Sequence, residues 1–230
     1  NVELLGANLS GINLIGVNLS GANLSNSNLS GANLKDAILD NSKLYGADLS
    51  GAYLENVSFK KVDIKGAKFN GAYMMGVSFK NMDLRNANLQ GIHMPGQNFK
   101  GLDLTGINLQ NAVLKDSNFE NSNLRDANLD SAYLNSANFK NADMTNVNLS
   151  NVDFGGADLT NANLSNAKIQ NSFFKNAKME NININEAITD SCFEQDLINR
   201  IICKIKLELD PDSPPYETNY EFRDNYSLRN

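Results

Sequence analysis

Every fifth residue from 4 to 184 is Leu, Ile, Phe or Met, an unbroken run of 37 positions. A period of five fits neither an α-helix (3.6) nor a plain strand (2.0), so the repeating unit must turn a corner. Two residues before nearly every apolar centre stands a small or β-branched residue, as at Ala22, Ala32, Ala47, Val57, Ala67, Ala127, Val147 and Ala157. Residues two apart on extended backbone point to the same side, so this residue and the centre both face inward. The residue between them faces water and is in most repeats Asn, Asp, Ser, Tyr or Lys. Of the 16 glycines, 15 stand two residues after a centre, and 15 asparagines share that phase. Gly and Asn tolerate the positive φ that the third position of a type II turn requires. Each repeat is therefore a short strand followed by a tight corner.

A longer period says how many corners close one coil. Phe59, Phe79, Phe99, Phe119 and Phe139 are spaced by twenty, as are Lys60, Lys80 and Lys100 with Lys140, and Asp63, Asp83 and Asp103 with Asp143. Like residues at every fourth repeat stack in columns in a solenoid. Four sides per coil make a square, all-β parallel β-helix of 20 residues per coil. The chain here resembles the pentapeptide repeat proteins, whose consensus reads A-(D/N)-L-x-x. Ala-Asn-Leu stands at 7–9, 22–24, 32–34, 87–89, 127–129 and 162–164, and Ala-Asp-Leu at 47–49 and 157–159. The resemblance covers roughly residues 2–188 and implies a right-handed quadrilateral β-helix. At about 4.8 Å per coil, about nine coils make a rod on the order of 45 Å long.

The sequence divides into a β-helix over 1–188, a C-terminal capping helix over 189–209 and an extended tail or linker over 210–230. The repeat begins at once, and Leu5 and Ile15 are apolar where other repeats carry Ser or Lys. Bare strand edges invite pairing, so a preceding segment of a larger protein is expected to cover that end. A homodimer through the N-terminal coils is the alternative. At the other end, Ser191 and Glu194 form a capping box that opens a helix to about Leu207. Phe193, Leu197, Ile198, Ile201, Ile202 and Ile205 cover about half its circumference, enough to plug the core and leave a face for a partner or a second copy. Beyond Pro-Asp-Ser-Pro-Pro, the tail with Tyr216, Tyr220, Phe222 and Tyr226 packs back onto the rod or leads into a further domain.

Composition narrows the function. No run of 18 apolar residues and no signal-peptide pattern is present, so no membrane span is expected. Cys192 and Cys203 fall on one face of the expected helix but about 16 Å apart by helical rise, too far to bridge. The cytoplasm or another reducing compartment follows, including a host cytosol if the chain belongs to a secreted effector. The net charge of −6 splits into −2 for 1–188 and −4 for 189–230. With no basic stripe, direct nucleic-acid binding is not expected.

Catalytic chemistry finds no constellation here. The single histidine, His93, lies on the water-facing phase, and no Cys or carboxylate cluster has metal-ligand spacing. No catalytic residue, metal or cofactor is assigned, and the chain is not expected to be an enzyme. Lys60, Lys80, Lys100 and Lys140 each precede an Asp by three residues, and the columns are expected to neutralise one another across a corner. The binding candidate is an outward aromatic column: Tyr53, Tyr73, His93 and Tyr133, with Met75 beside it, Phe173 further along and Val113 breaking the line. Exposed aromatic patches mark interaction sites, although stacked tyrosines also stabilise neighbouring strands. Gln97 places an amide where other repeats have a small or apolar inward residue. It must find a hydrogen bond or push the strand outward, and a local bulge is expected.

The leading reading is a non-catalytic protein–protein interaction solenoid, the recognition domain of a larger bacterial protein. The resemblance implies such rods in secreted effectors, including ubiquitin ligases with an amino-terminal β-helix. The runner-up is a DNA mimic that binds DNA gyrase or topoisomerase IV, as similar repeat proteins in quinolone resistance do, dimerised through the C-terminal helix. Mimicry needs a strongly negative rod, and this one is nearly neutral. A structural spacer is the third reading.

Overall fold

The computed structural model describes residues 2–80 and 82–188. Within them the backbone coils with a period of twenty residues. Parallel bridges join Glu3 to Asn23, Asn8 to Asn28, Asn13 to Asn33 and Asn18 to Ile38, and the pattern continues to Lys168–Ile188. Four bridges per twenty residues give the coil four faces. We name these the aspartate face (63, 83, 103, 143), the asparagine face (88, 108, 128, 148), the aromatic face (53, 73, 93, 133) and the phenylalanine face, after its buried rings (59, 79, 99, 119, 139). The expected helix at 189–209 and the tail at 210–230 lie outside the described residues.

The corners form for the reason expected. The Ala7 N–H donates to the Leu4 carbonyl at 3.0 Å and the Ala22 N–H to the Leu19 carbonyl at 3.0 Å, closing four-residue turns. The third turn residue has positive φ, +66° at Gly6 and +55° at Asn26. Lys61, at φ +57°, adopts this backbone without glycine's freedom or asparagine's local hydrogen bonding. Inside the coil, Leu24, Leu44, Leu104 and Leu134 are fully buried, as are Ala22, Ala32 and Ala112. Each buried Leu contributes about 1.5–3 kcal/mol relative to exposure.

The asparagine before each centre does more than face water. Asn108 Oδ1 accepts the Gln110 N–H at 3.1 Å, tightening the turn, and also accepts from Asn128 Nδ2 at 3.4 Å. Asn108 Nδ2 in turn donates to Asn88 Oδ1 at 3.1 Å, and Asn148 continues the ladder to Asn128 at 3.2 Å. One side chain thus bonds within its own coil and to both neighbours. Asp can accept these bonds but cannot donate onward.

The ladder is not continuous. Between segments 59–69 and 78–88 no backbone bond joins the coils among the described residues. The break lies between Asn56 N–H to Met75 O and Gly71 N–H to Gln90 O, both 2.9 Å. A second break separates Ser78 from Asn98 and Asp83 from Asp103 among the described residues. Gln97 explains its start. The side chain is buried, at 6 % exposure, and Nε2 donates to the Val77 carbonyl at 2.7 Å. No bond from the Asn98 N–H reaches that carbonyl. The residue therefore finds a hydrogen bond and also opens the ladder beside it. On the same face Phe79 and Phe99 stand 5.7 Å apart, against 4.7 Å for Phe99–Phe119 and for Phe119–Phe139. Substituting Gln97→Ala restores the repeat's usual small residue and lets the Asn98 N–H reach Val77. We expect a gain of about 1 kcal/mol in urea unfolding; a loss would mean that Gln97 fastens the coils rather than wedging them.

Candidate aromatic interaction face

The twenty-residue coil brings the sequence-predicted aromatic residues into one line. Bridges run Tyr53–Tyr73, Tyr73–His93, His93–Val113 and Val113–Tyr133, then on through Asp153 to Phe173. Tyr53 and Tyr73 stack with centroids 5.0 Å apart and planes 8° from parallel, and His93 follows Tyr73 at 5.3 Å, tilted by 36°. Tyr53, Tyr73 and Tyr133 are 46 %, 38 % and 56 % exposed, and Met75, beside Tyr73, is 42 % exposed. His93 is half-buried. The structure therefore joins Tyr53, Tyr73, Met75 and His93 in one patch and sets Tyr133 two coils further on, past Val113.

Stacking decides what the patch can offer. Rings that face one another spend their π faces on the column, leaving edges and phenol hydroxyls outward. Such a column cannot sandwich a nucleobase between its rings. It suits contacts that are apolar at the edge and hydrogen-bonded at the tip.

One flank carries residues that the sequence reading did not single out. Asn70 Nδ2 donates to Gln90 Oε1 at 3.3 Å, Gln90 Nε2 to Gln110 Oε1 at 3.2 Å, and Gln110 Nε2 to Asp130 Oδ2 at 3.0 Å. The signal was available as amides at 70, 90 and 110, twenty apart. Pro95 continues the opposite flank from Met75. On this face residues 70–76, 90–96 and 110–113 carry no Asp, Glu, Lys or Arg. Its charged border begins at Glu55, held by Lys35 at 2.9 Å.

The expected neutralisation of the Lys and Asp columns across a corner does not occur. Asp83 is held by Arg85 (2.7 Å) and Asp143 by Arg125 (3.5 Å), while Lys100 reaches Glu120 on the next coil (2.8 Å). Residues three apart across a corner point from different faces. A neighbour two along the strand, or one coil away at about 4.8 Å, is nearer. The two-bond contact from Arg85, with Nε at 2.8 Å and Nη2 at 2.7 Å, holds the Asp83 carboxyl at about 2, below its ordinary 3.8. The stability it contributes is therefore present above pH 3.8 and lost as pH falls through about 2. An NMR titration should return Asp83 toward 3.8 in Arg85→Ala. Hydrogen bonds from Thr105 and Thr160 lower Asp103 and Asp158 in the same sense.

Among the described residues, no group of three His, Cys, Asp or Glu could hold a metal ion. No helix among them is long and apolar enough to cross a membrane. The family model for pentapeptide repeats (8 copies) matches residues 3–41, 42–81 and 148–185, and that for a pentapeptide repeat region matches 72–149. The chain belongs to the pentapeptide repeat family. No curated protein matches it. Among solved structures, this pentapeptide repeat chain is similar to HetL, involved in heterocyst differentiation regulation in the cyanobacterium Nostoc sp. strain PCC 7120. That match has 24 % identity over 81 % of this chain and 88 % of that one, with a TM-score of 0.35. It is also similar to trypsin-treated QnrB1, a plasmid-mediated fluoroquinolone resistance protein, at 15 % identity over 90 % and 97 % of the chains, with a TM-score of 0.43. A pentapeptide repeat protein from the Arabidopsis thaliana thylakoid lumen matches at 30 % identity over 46 % of this chain and 77 % of that one, with a TM-score of 0.34.

Proposed function

We propose that this pentapeptide repeat chain is a non-catalytic interaction rod that binds a protein partner through its aromatic face. The observation that carries this reading is the exposed strip around Tyr73, Met75 and His93, free of charged side chains, with Tyr53 stacked at its charged border, on a rod charged elsewhere. Aromatic residues bring large contact area at low entropic cost, and the neighbouring amides give a polar rim. The rod is a right-handed quadrilateral β-helix of about nine coils. It serves as the recognition part of a larger bacterial protein, working in a reducing compartment that for an effector is the host cytosol. Near-neutral charge over 1–188, with 17 acidic and 15 basic side chains, disfavours DNA mimicry.

The test is retention of a discrete protein from lysate by the immobilised chain. Tyr73→Ala and Tyr133→Ala should each weaken retention roughly tenfold or more. Loss of stacking should cost the Tyr73 variant only about 0.5–1.5 kcal/mol in unfolding, so the rod remains folded. Unchanged retention in both variants would move the site off this face and favour a structural spacer.

A further inference from the structure

The aromatic face is complementary to itself. Its middle is neutral, from Tyr73 and Met75 to His93 and Pro95, and along the Met75 column the first charges on either side are opposite in sign. Glu55 stands one coil before Met75 and Lys115 one coil after Pro95, at equal distances from the midpoint of the neutral pair. Both can be reached from outside, the Lys115 side chain being 60 % exposed and that of Glu55 29 %. Their neighbours in the chain leave them capacity. Lys35 takes one Glu55 oxygen at 2.9 Å, and Lys115 stands 4.0 Å from Asp116. A carboxylate accepts several hydrogen bonds and an ammonium donates three. The corners beside the neutral middle are glycine on both sides, Gly71 and Gly91 on one and Gly76 and Gly96 on the other, so no corner side chain stands proud of the face.

A face that is neutral at its centre and oppositely charged at equal distances from it can meet a second copy of itself. We infer that two copies of this chain pair through the aromatic face, their rods antiparallel about a two-fold axis that runs along the strands midway between Tyr73 and His93. This pairing rests on the aromatic face being the binding face, and it names the partner. The symmetry sets each column of the face against the same column of the second copy. Tyr73 meets the second copy's His93, Met75 its Pro95, Tyr53 its Val113 and Glu55 its Lys115, each contact occurring twice. Tyr133 falls opposite Asn33, and Lys35 opposite Asn135. Over the eight coils from 13 to 153 no two like charges stand directly opposite one another on this face.

Neighbouring arrangements lose that match. An axis through Tyr73 sets Lys35 against Lys115, and one through His93 sets Lys115 against Met75, whose thioether is only a weak acceptor. An axis parallel to the rods sets Asp153 against itself. The paired face is about 38 Å long over eight coils and about 10 Å wide over three strand residues. That is smaller than the roughly 800 Å² per partner of a standard interface, so the association is reversible and follows concentration.

Sedimentation equilibrium of the full chain over a hundredfold range of concentration tests it. The mass should rise from 25.2 kDa toward twice that value. Tyr73→Ala and Lys115→Glu should each weaken the dimer about tenfold or more. Glu55→Lys/Lys115→Glu should recover it, because the exchanged charges meet again. Carbodiimide coupling in a mixture of light and heavy-isotope chains should give a Lys115–Glu55 peptide with one label of each kind. A mass of 25.2 kDa at every concentration would overturn the pairing. If Tyr73→Ala then still lost a protein retained from lysate, the interaction-rod reading would stand without it. A dimer unchanged in both Tyr73→Ala and Lys115→Glu would put the contact elsewhere on the chain and overturn the pairing as well.

Discussion

Replacing Phe119 by Ala should lower the unfolding free energy by about 3–5 kcal/mol, the largest loss expected from one side chain here. Phe119 is fully buried and stacks on both neighbours, 4.7 Å from Phe99 at 14° and 4.7 Å from Phe139 at 2°. A solenoid is stabilised by each coil and by its contacts with the coils on either side. Removing this ring weakens two such contacts and leaves a cavity that the stacked backbone cannot collapse to fill. Urea unfolding followed by circular dichroism would measure it. Phe59→Ala is the internal comparison. Among the described residues its ring meets the Phe69 ring edge-on, at 6.3 Å and 82°, beside the open ladder. It should therefore cost clearly less. Equal losses would mean that ring stacking adds nothing to burial.

The second large effect belongs to the turns. Gly106→Val should cost roughly 2–3 kcal/mol, because a β-branched residue must hold a left-handed backbone. The position has φ +68°, and an added Cβ would collide with Oδ1 of Asn86, one coil before. Two causes are thus superposed, and Gly106→Asn separates them. Asparagine holds this backbone at Asn86, with φ +56°, and at Asn146, with φ +59°, so it removes most of the conformational cost. It leaves the collision in place. An Asn variant within about 1 kcal/mol of the parent would assign the Val penalty to φ, since the Asn86 side chain can swing aside. Similar losses for both would assign it to space.

Most of the fold was legible because each residue's surroundings repeat with the local sequence. The apolar centre, the small residue two before it and the Gly or Asn two after it determine a strand and a corner within five residues. The recurrence of Phe and Asp at twenty determines how those corners stack. The aromatic line through Tyr53, Tyr73, His93 and Tyr133 was legible for the same reason, as one position of the repeat followed coil by coil. The stacking of its rings and the neutral strip beside it were not, because they depend on side-chain conformation across coils. The job of the asparagines was also missed. Facing water is a property of one coil, whereas the ladder from Asn88 to Asn148 needs three or more.

Tertiary structure alone decided where the regular pattern gives way. The register through 59, 64, 69, 79 and 84 is as regular as elsewhere, yet among the described residues no backbone bond joins the coils there. The Gln97 amide taking the Val77 carbonyl accounts for the start of the second break, and Lys61 holds a left-handed corner beside the first. The choice of ion pairs followed the same logic, with Lys100 turning to Glu120 rather than Asp103. A five-residue period determines what each residue does within its coil. What it meets is set by the residue twenty positions away, about 4.8 Å along the rod.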